Sequence, residues 1–277
     1  MNFRGLCAAV LAAFALAGCC GEEGSENPTL FAAVCQAEKD LAEPNTGLWW
    51  NPQENGRGFF IERQDERILV SAYVFDDDGR ATWSTGFATQ QSDGSYTGTL
   101  TRYSGGQTLE GSYRPPDTSS AIATMVLEFD TATTGTLEVK LTGSDDKHLI
   151  TLEQFRGDGG PPSNATFANG TWWNEDESGR AFVIEVQGNN VTLGSFMYDK
   201  DGSPVWYRAT GQLATTSSFT LTLTQFADGQ TLTGPYQQPR TLSASLGSVT
   251  FQARTATKAT MTLPDGRQVP LQRFTFD

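Results

Sequence analysis

GLWWNPQENGRGFFIERQ, at residues 47–64, returns as GTWWNEDESGRAFVIEVQ at residues 170–187. The match continues without a gap to Trp83 and Trp206 at a constant offset of 123 positions, and 15 of the 37 aligned pairs are identical. All six tryptophans of the chain fall on paired positions, namely Trp49, Trp50, Trp83, Trp172, Trp173 and Trp206. A fixed internal period of this kind indicates a duplicated structural module.

Each copy is predicted to be a β module. Helix-forming runs are sparse, whereas β-branched and aromatic residues cluster in short segments separated by turn residues. In the first copy these segments are residues 47–50, 58–64, 67–75, 81–89, 96–103, 121–129, 136–141 and 149–155. Eight short strands without crossover helices predict an antiparallel meander, and closure would remove its unpaired edges. We therefore expect an all-β chain with two eight-stranded up-and-down barrels in tandem, and two β-sandwiches are the alternative.

The repeat also predicts the domain boundaries. β module 1 should span residues 47–156 and β module 2 residues 170–277. Residues 157–169, rich in Gly, Pro and Ser, are predicted to link them.

Alternation along the strands predicts which side chains enter the core. Phe59 and Ile61 share one face of their strand, which we assign to the core, while Phe60 and Glu62 take the other face. The strand that follows, at residues 67–75, is apolar on both faces, and so is its copy in the second module. Because a barrel interior covers only one face, the other should meet the second module, another copy of the protein or a ligand.

The N-terminus has the features of an export signal. The first four residues hold one positive charge, residues 5–16 are an apolar run too short to span a bilayer, and Leu16-Ala17-Gly18-Cys19 follows. This order resembles the lipobox of bacterial lipoproteins. The resemblance implies a signal peptide at residues 1–18, lipidation of Cys19 and a location in the bacterial cell envelope. Cys20 rather than Asp follows Cys19, which favours the outer membrane. An ordinary cleaved signal with a chance cysteine is the alternative.

Residues 19–46 are predicted to form a tether between the lipid and the first module. Apolar residues at helical spacing within residues 29–42 indicate one short helix. Export places the remaining cysteines in an oxidising compartment, so Cys20 and Cys35 are predicted to form a disulfide. A free or modified Cys20 is the alternative.

The formal net charge of −13 argues against two classes of partner. A surface of this sign repels nucleic acid and anionic lipid, so neither is expected to bind by electrostatic attraction. The expected link to a membrane is therefore the lipid anchor alone.

A cluster of aromatic, amide and charged residues at the start of each module is the candidate ligand site. Its members are Trp49, Trp50, Asn51, Arg57 and Glu62, with their copies Trp172, Trp173, Asn174, Arg180 and Glu185. Tryptophan faces stack on sugar rings and apolar groups, and the other side chains supply hydrogen-bond donors and acceptors. In the structural alternative, tryptophan plugs the end of the barrel and Arg57 pairs with Glu62.

Other sequence patterns give little support to metal or catalytic chemistry. Asp76-x-Asp78-Gly79 recurs in the second module and could chelate Ca²⁺, but Asp-Gly is typical of a hairpin turn and a calcium loop needs more ligands. The one histidine, His148, is expected in a loop or turn, and no nucleophile–base motif occurs. We predict no metal site, no cofactor and no enzyme activity.

The repeated W-W-N-x-x-E-x-G-R-x-F pattern resembles modules of bacterial envelope lipoproteins that have no established activity. The first hairpin, G-x-W-x-N followed by F-x-I, also looks like that of avidin-type barrels over some 15 residues. We therefore expect a lipid-anchored, non-catalytic binding module whose ligand is an envelope glycan or an extended peptide. One alternative is a structural scaffold that acts through module–module packing or a homo-oligomer. Another is a glycoside hydrolase-like enzyme that uses Glu62 and Glu185.

Overall fold

The structure, a computed structural model, describes residues 42–155 and 165–276. The predicted signal peptide, Cys19, the Cys20–Cys35 pair and nearly all of the predicted helix lie outside the described residues, as does most of the predicted linker. The two β modules belong to one compact unit, Leu41–Asp277. The described residues contain no helix with the length and hydropathy needed to cross a membrane.

Module 1 is a closed eight-stranded antiparallel barrel in which each strand pairs with the next and the last pairs with the first. Its strands are β1 (Gly47–Asn51), β2 (Glu54–Gln64), β3 (Arg67–Phe75), β4 (Ala81–Gln90), β5 (Tyr96–Ser104), β6 (Thr118–Thr131), β7 (Thr134–Leu141) and β8 (Lys147–Gln154). All eight predicted segments are strands. His148 lies in β8 and not in a loop, so that expectation was wrong, because β8 begins two residues earlier than its apolar pattern indicated.

Module 2 repeats this plan in a nearly closed eight-stranded barrel with the order β12-β11-β10-β9-β18-β17-β16-β13. Its strands are β9 (Gly170–Trp173), β10 (Ala181–Gln187), β11 (Asn190–Tyr198), β12 (Pro204–Gln212), β13 (Ser218–Thr222), β14 (Gln225–Ala227), β15 (Arg240–Ser243), β16 (Ser248–Ala253), β17 (Lys258–Thr262) and β18 (Gln268–Arg273). A turn of 3-10 helix, Glu175–Glu177, follows β9, and β14 and β15 form a separate hairpin. The predicted pair of eight-stranded barrels is therefore confirmed.

Glycine explains why only the first barrel closes between its fourth and fifth strands. A Cβ atom added at Gly86 or Gly98 would overlap a backbone carbonyl of the neighbouring strand, so the two strands approach closely only because both residues lack side chains. The equivalent positions in module 2 are Ala209 and Leu221. Side chains at these positions are incompatible with the close approach seen in module 1, and one isolated bridge, between Arg208 and Thr224, joins this region.

Strand β3 is covered on both faces, as its composition predicted. Ile68, Val70, Ala72 and Val74 pack inside the first barrel. Tyr73 and Phe75, on the opposite face, pack instead in the cluster that contains the core of module 2. The second face of this strand is therefore buried against the other module of the same chain.

The two modules meet through equivalent residues, so that several contacts occur twice in opposite directions. Tyr73 stacks on its own counterpart, Phe196, with ring centroids 4.5 Å apart. The indole of Trp83 donates a hydrogen bond to the carbonyl of Met197, and Trp206 donates to that of Val74, both at 2.9 Å. This is the pattern of an isologous interface, here formed within one chain by a duplicated module.

The repeated Gly-Gln-Thr-Leu segments extend this interface. The amide of Phe75 donates to the carbonyl of Gln230 at 3.1 Å, and the amide of Tyr198 donates to that of Gln107 at 3.0 Å. A Cβ atom at Gly106 would overlap the Tyr198 ring, and one at Gly229 would overlap the Phe75 ring. These glycines therefore permit the aromatic ring of one module to lie against the backbone of the other.

Candidate functional site

The adjacent tryptophans of each pair occupy different environments. Trp49 is 1% exposed and Trp172 is fully buried, each within the core of its own module. Their indole nitrogens donate to the carbonyls of Asn45 and Ala168, both at 3.2 Å. Their neighbours Trp50 and Trp173 point away from the barrel interiors and are half-buried. Of the four, only Trp50 and Trp173 present a large part of the ring outside a core.

The two repeated arginines connect the modules. Arg57 donates to the carbonyl of Leu232 at 2.7 Å, and Arg180 donates to that of Leu109 at 2.9 Å. Arg57 also pairs with Glu54 at 2.8 Å, so the suggested pairing of Arg57 with Glu62 was wrong. Glu62 is instead engaged by Arg273 and by the amide of Thr171, both in the opposite module.

Burial at these arginines is strong enough to affect ionisation. Desolvation lowers the pKa of Arg180 to about 10, and the nearby charge of Arg267 contributes in the same direction. Glu177, 3.0 Å away, opposes both effects. The arrangement satisfies the guanidinium within the protein, which is typical of a structural arginine.

Glu62 and Glu185 also hold the modules together, because each accepts a hydrogen bond from a backbone amide of the opposite module. Glu62 accepts from the amide of Thr171, and Glu185 accepts from that of Leu48, both at 2.7 Å. Both residues are almost fully buried. Glu62 in addition pairs with Arg273 at 2.6 Å.

The partner of Glu185 differs from that of Glu62. Gln154 occupies the place that Arg273 has in the other half, and it donates to Glu185 at 3.2 Å. No cation pairs with Glu185 among the described residues. Burial therefore raises the pKa of Glu185, although hydrogen bonds from Leu48, Gln187 and Gln154 oppose the rise.

This raised pKa predicts how stability depends on pH. A carboxyl group whose pKa is higher in the folded protein stabilises the fold while it is protonated, and that contribution is lost as pH rises from its unfolded value of about 4.5 through the folded pKa. Glu185→Gln removes the titration, so the free energy of unfolding of the variant should rise relative to wild type over this window. Urea unfolding between about pH 4 and about pH 8 measures the difference. A constant difference across the range would contradict the prediction.

Asn51 and Asn174 stabilise local turns. The side-chain oxygen of Asn51 accepts from the amide of Gln53 at 3.0 Å, and that of Asn174 accepts from Asp176 at 3.2 Å. In the second copy this bond caps the 3-10 turn at Glu175–Glu177. Both amides therefore have a role in backbone geometry that explains their repetition.

Two equivalent clefts lie between the modules. The first cleft has a volume of about 250 Å³ and its lining includes Trp50, Tyr73, Phe155, Gly194, Trp206, Arg208 and Phe226. The second cleft has a volume of about 270 Å³ and its lining includes Trp173, Phe196, Phe274, Ser71, Trp83, Thr85 and Tyr103. The first cleft thus combines Trp50 of module 1 with Trp206 of module 2. The second cleft combines Trp173 of module 2 with Trp83 of module 1.

Aromatic contacts fix the walls of both clefts. Trp50 meets Phe155 edge-on at 5.2 Å, as Trp173 meets Phe274 at the same distance. Trp206 stacks with Phe226 at 5.7 Å on the facing wall of the first cleft. In the second cleft Trp83 stacks with Tyr103 at 6.0 Å. In both clefts this facing wall contains the tryptophan that follows the D-x-D-G turn. Its repetition in the sequence is the signal that could have indicated it.

The first cleft also contains polar groups that differ from those of the second. Arg208 is exposed as a residue, yet its guanidinium lies close enough to protein for desolvation to lower its pKa. Burial raises the pKa of Tyr73 well above its ordinary value, and the charge of Arg208 opposes that rise. Neither residue is repeated at its equivalent position, where Thr85 and Phe196 stand.

The D-x-D-G segments form turns. Asp76 accepts from the amides of Asp78 at 3.0 Å and Arg80 at 2.8 Å, and Gly79 has a φ of +78°. In the second copy Gly202 has a φ of +84°. Within the described ranges no group of three or more His, Cys, Asp or Glu side chains could hold a metal ion.

No protein-family model matches the chain, and no curated protein is significantly similar to it.

Proposed function

We propose that this chain is a non-catalytic binding protein, anchored in the bacterial cell envelope by a lipid on Cys19, that holds an apolar group in each of its two clefts. The observation that supports binding is the pair of equivalent aromatic clefts, each lined by tryptophans of both modules. The L-A-G-C sequence at residues 16–19 supports the anchor, and Cys20 rather than Asp after it favours the outer membrane.

An extended peptide fits these clefts better than a glycan does. Their walls consist mainly of aromatic and aliphatic side chains, and Arg57 and Arg180 already bond to protein groups. A sugar ring needs several hydrogen-bond partners around an aromatic face, whereas an apolar side chain needs only the face. The ligand we favour therefore places one apolar side chain in a cleft.

The scaffold and hydrolase alternatives depend on residues that already contact other parts of the chain. The outer faces of β3 and β11, which suggested a scaffold, pack between the two modules. Glu62 and Glu185, which suggested a hydrolase, are buried in hydrogen bonds and line neither cleft. The packing of β3 and β11 between the modules fits a scaffold within one chain, but it does not account for the two open clefts.

Calorimetric titration tests the proposal through stoichiometry. A panel of hydrophobic peptides and envelope oligosaccharides is titrated into the wild-type protein, Trp50→Ala, Trp173→Ala and the double variant. A peptide that binds should occupy two sites in the wild type, one in each single variant and none in the double variant, because each substitution removes one aromatic wall.

Leu149→Ala is the control, since Leu149 lies on β8 with 70% of its surface exposed and lines neither cleft. It should retain both sites. Saturable binding that survives in the double variant would place the ligand elsewhere, and no binding by any member of the panel would contradict the proposed function.

A further inference from the structure

The two clefts are equivalent in backbone and aromatic walls, but their polar groups differ. Arg208 in the first cleft corresponds to Thr85 in the second. Tyr73 corresponds to Phe196, and Gly194 corresponds to Ser71. Three neighbouring lining positions therefore differ between the two clefts. As a result, the first cleft has a cation and a phenolic hydroxyl close together.

Arg208 has no ion pair among the described residues. Its guanidinium carbon lies 5.8 Å from the centre of the Phe155 ring, and that ring is the one that packs against Trp50. The other arginine of the first cleft, Arg57, is neutralised by Glu54. Of the two arginines that line the first cleft, Arg208 therefore has hydrogen-bond donors available to a ligand.

Tyr73 provides a second unsatisfied donor. The residue is 7% exposed, and its hydroxyl is buried without a hydrogen-bond partner in the described part of the chain. The hydroxyl lies over Gly194, where any side chain would overlap it. Tyr73 lines the first cleft, and the charge of Arg208 acts on it. A buried hydroxyl without a partner costs free energy, which an acceptor on a ligand beside Arg208 would offset.

The second cleft lacks this combination. It contains a buried hydroxyl on Tyr198, but its arginine, Arg180, pairs with Glu177 at 3.0 Å. Thr85 provides no charge where Arg208 lies in the first cleft. The second cleft is therefore a neutral counterpart within the same molecule.

We propose that the first cleft binds a carboxylate attached to an apolar body. The carboxylate accepts hydrogen bonds from the Arg208 guanidinium and the Tyr73 hydroxyl, and the apolar body lies between Trp50 and Trp206. A planar guanidinium matches the two oxygens of a carboxylate, and the aromatic walls match a flat or branched side chain. The second cleft takes a neutral apolar group.

This inference rests on the proposed function and deepens it by giving the two sites different ligand classes. Two sources present the required chemistry, namely the C-terminal residue of a peptide and a free aromatic acid. The probes are therefore N-acetylphenylalanine with its primary amide, and 3-phenylpropionate with 3-phenylpropionamide. Each pair differs only in the negative charge.

Calorimetric titration of these four probes into the wild-type protein should show one site per chain that prefers the acid to the amide by about tenfold or more, as expected for charge-assisted hydrogen bonds. Arg208→Thr, which copies the second cleft, should weaken the acid by about the same factor and leave the amide unchanged. Tyr73→Phe should weaken the acid several-fold. The peptide source is favoured if N-acetylphenylalanine binds more tightly than 3-phenylpropionate, and the free acid if the order is reversed.

Arg254→Thr is the matched control, because it removes one exposed positive charge outside both clefts. It should leave the preference for the acid intact. Equal binding of acid and amide, or an unchanged acid affinity in Arg208→Thr, would overturn the anion site. If either result is found but Trp50→Ala still abolishes binding, the proposed function stands without the anion site. Failure of both acids to bind also overturns the anion site, while the peptide and oligosaccharide titration decides the proposed function separately.

Discussion

Glu62→Gln should lower the free energy of unfolding by about 3–5 kcal/mol, the cost of removing one partner from a buried ion pair. The glutamine oxygen can still accept from the amide of Thr171, but its NH₂ group then faces the guanidinium of Arg273. Arg273 is only 12% exposed, and a guanidinium has donors alone, so it cannot turn an acceptor towards the new group.

The second module supplies the matched control for this effect. Glu185→Gln makes the same change in the same fold, but Gln154 stands in place of the arginine. Its amide can rotate to present an oxygen if the amide of Asn45, which donates to it, rotates as well. Glu185→Gln should therefore cost much less than Glu62→Gln at neutral pH. Urea unfolding of the two variants measures the difference, and equal losses would contradict the account of Arg273.

Gly106→Ala and Gly229→Ala should each destabilise the protein by about 1–3 kcal/mol, the usual cost of overpacking a buried contact. The new methyl group at Gly106 overlaps the ring of Tyr198, and the one at Gly229 overlaps the ring of Phe75. Both rings are almost fully buried and held by tryptophan neighbours, so neither can move away without loosening the interface between modules. The double variant should lose roughly the sum.

Gly58→Ala is the control that separates this clash from the effect that any Gly→Ala substitution has on stability. A Cβ atom at Gly58 would lie 3.6 Å from its nearest neighbour, the carbonyl of Trp49, which is an ordinary contact. The equivalent residue of module 2 is already Ala181. Scanning calorimetry should show a lower transition temperature for Gly106→Ala and Gly229→Ala but not for Gly58→Ala. Comparable transition temperatures in all three would contradict the close approach of ring and backbone.

The fold was largely predictable because its signals are local and repeated. Alternating apolar residues located the strands of the first module, and the apolar pattern of residues 67–75 predicted a second covered face. The partner of Glu62 was not predictable in the same way. Thr171 and Arg273 lie 109 and 211 residues away along the chain, and no local pattern indicates that the modules dock through this carboxylate.

Identity between the two copies indicates residues that both modules share, so it cannot indicate positions at which the two clefts differ. Among the identical residues, Trp49 packs in the core of module 1, and Arg57 and Glu62 bond to the opposite module. Trp50 and its copy do line the clefts. Arg208 and Tyr73 differ from their counterparts Thr85 and Phe196, so the repeated pattern did not indicate them.

The repeated residues hold the two modules together and thereby form the clefts. Hydrogen exchange of the backbone amides of Leu48, Phe75, Thr171 and Tyr198, followed by NMR in the wild-type protein, tests it most directly. Each of these amides donates to an acceptor in the opposite module. If the repeated residues hold the modules together, all four amides should exchange as slowly as amides in the barrel strands. Rapid exchange at these four, with slow exchange in the strands, would show that the modules separate freely and would contradict it.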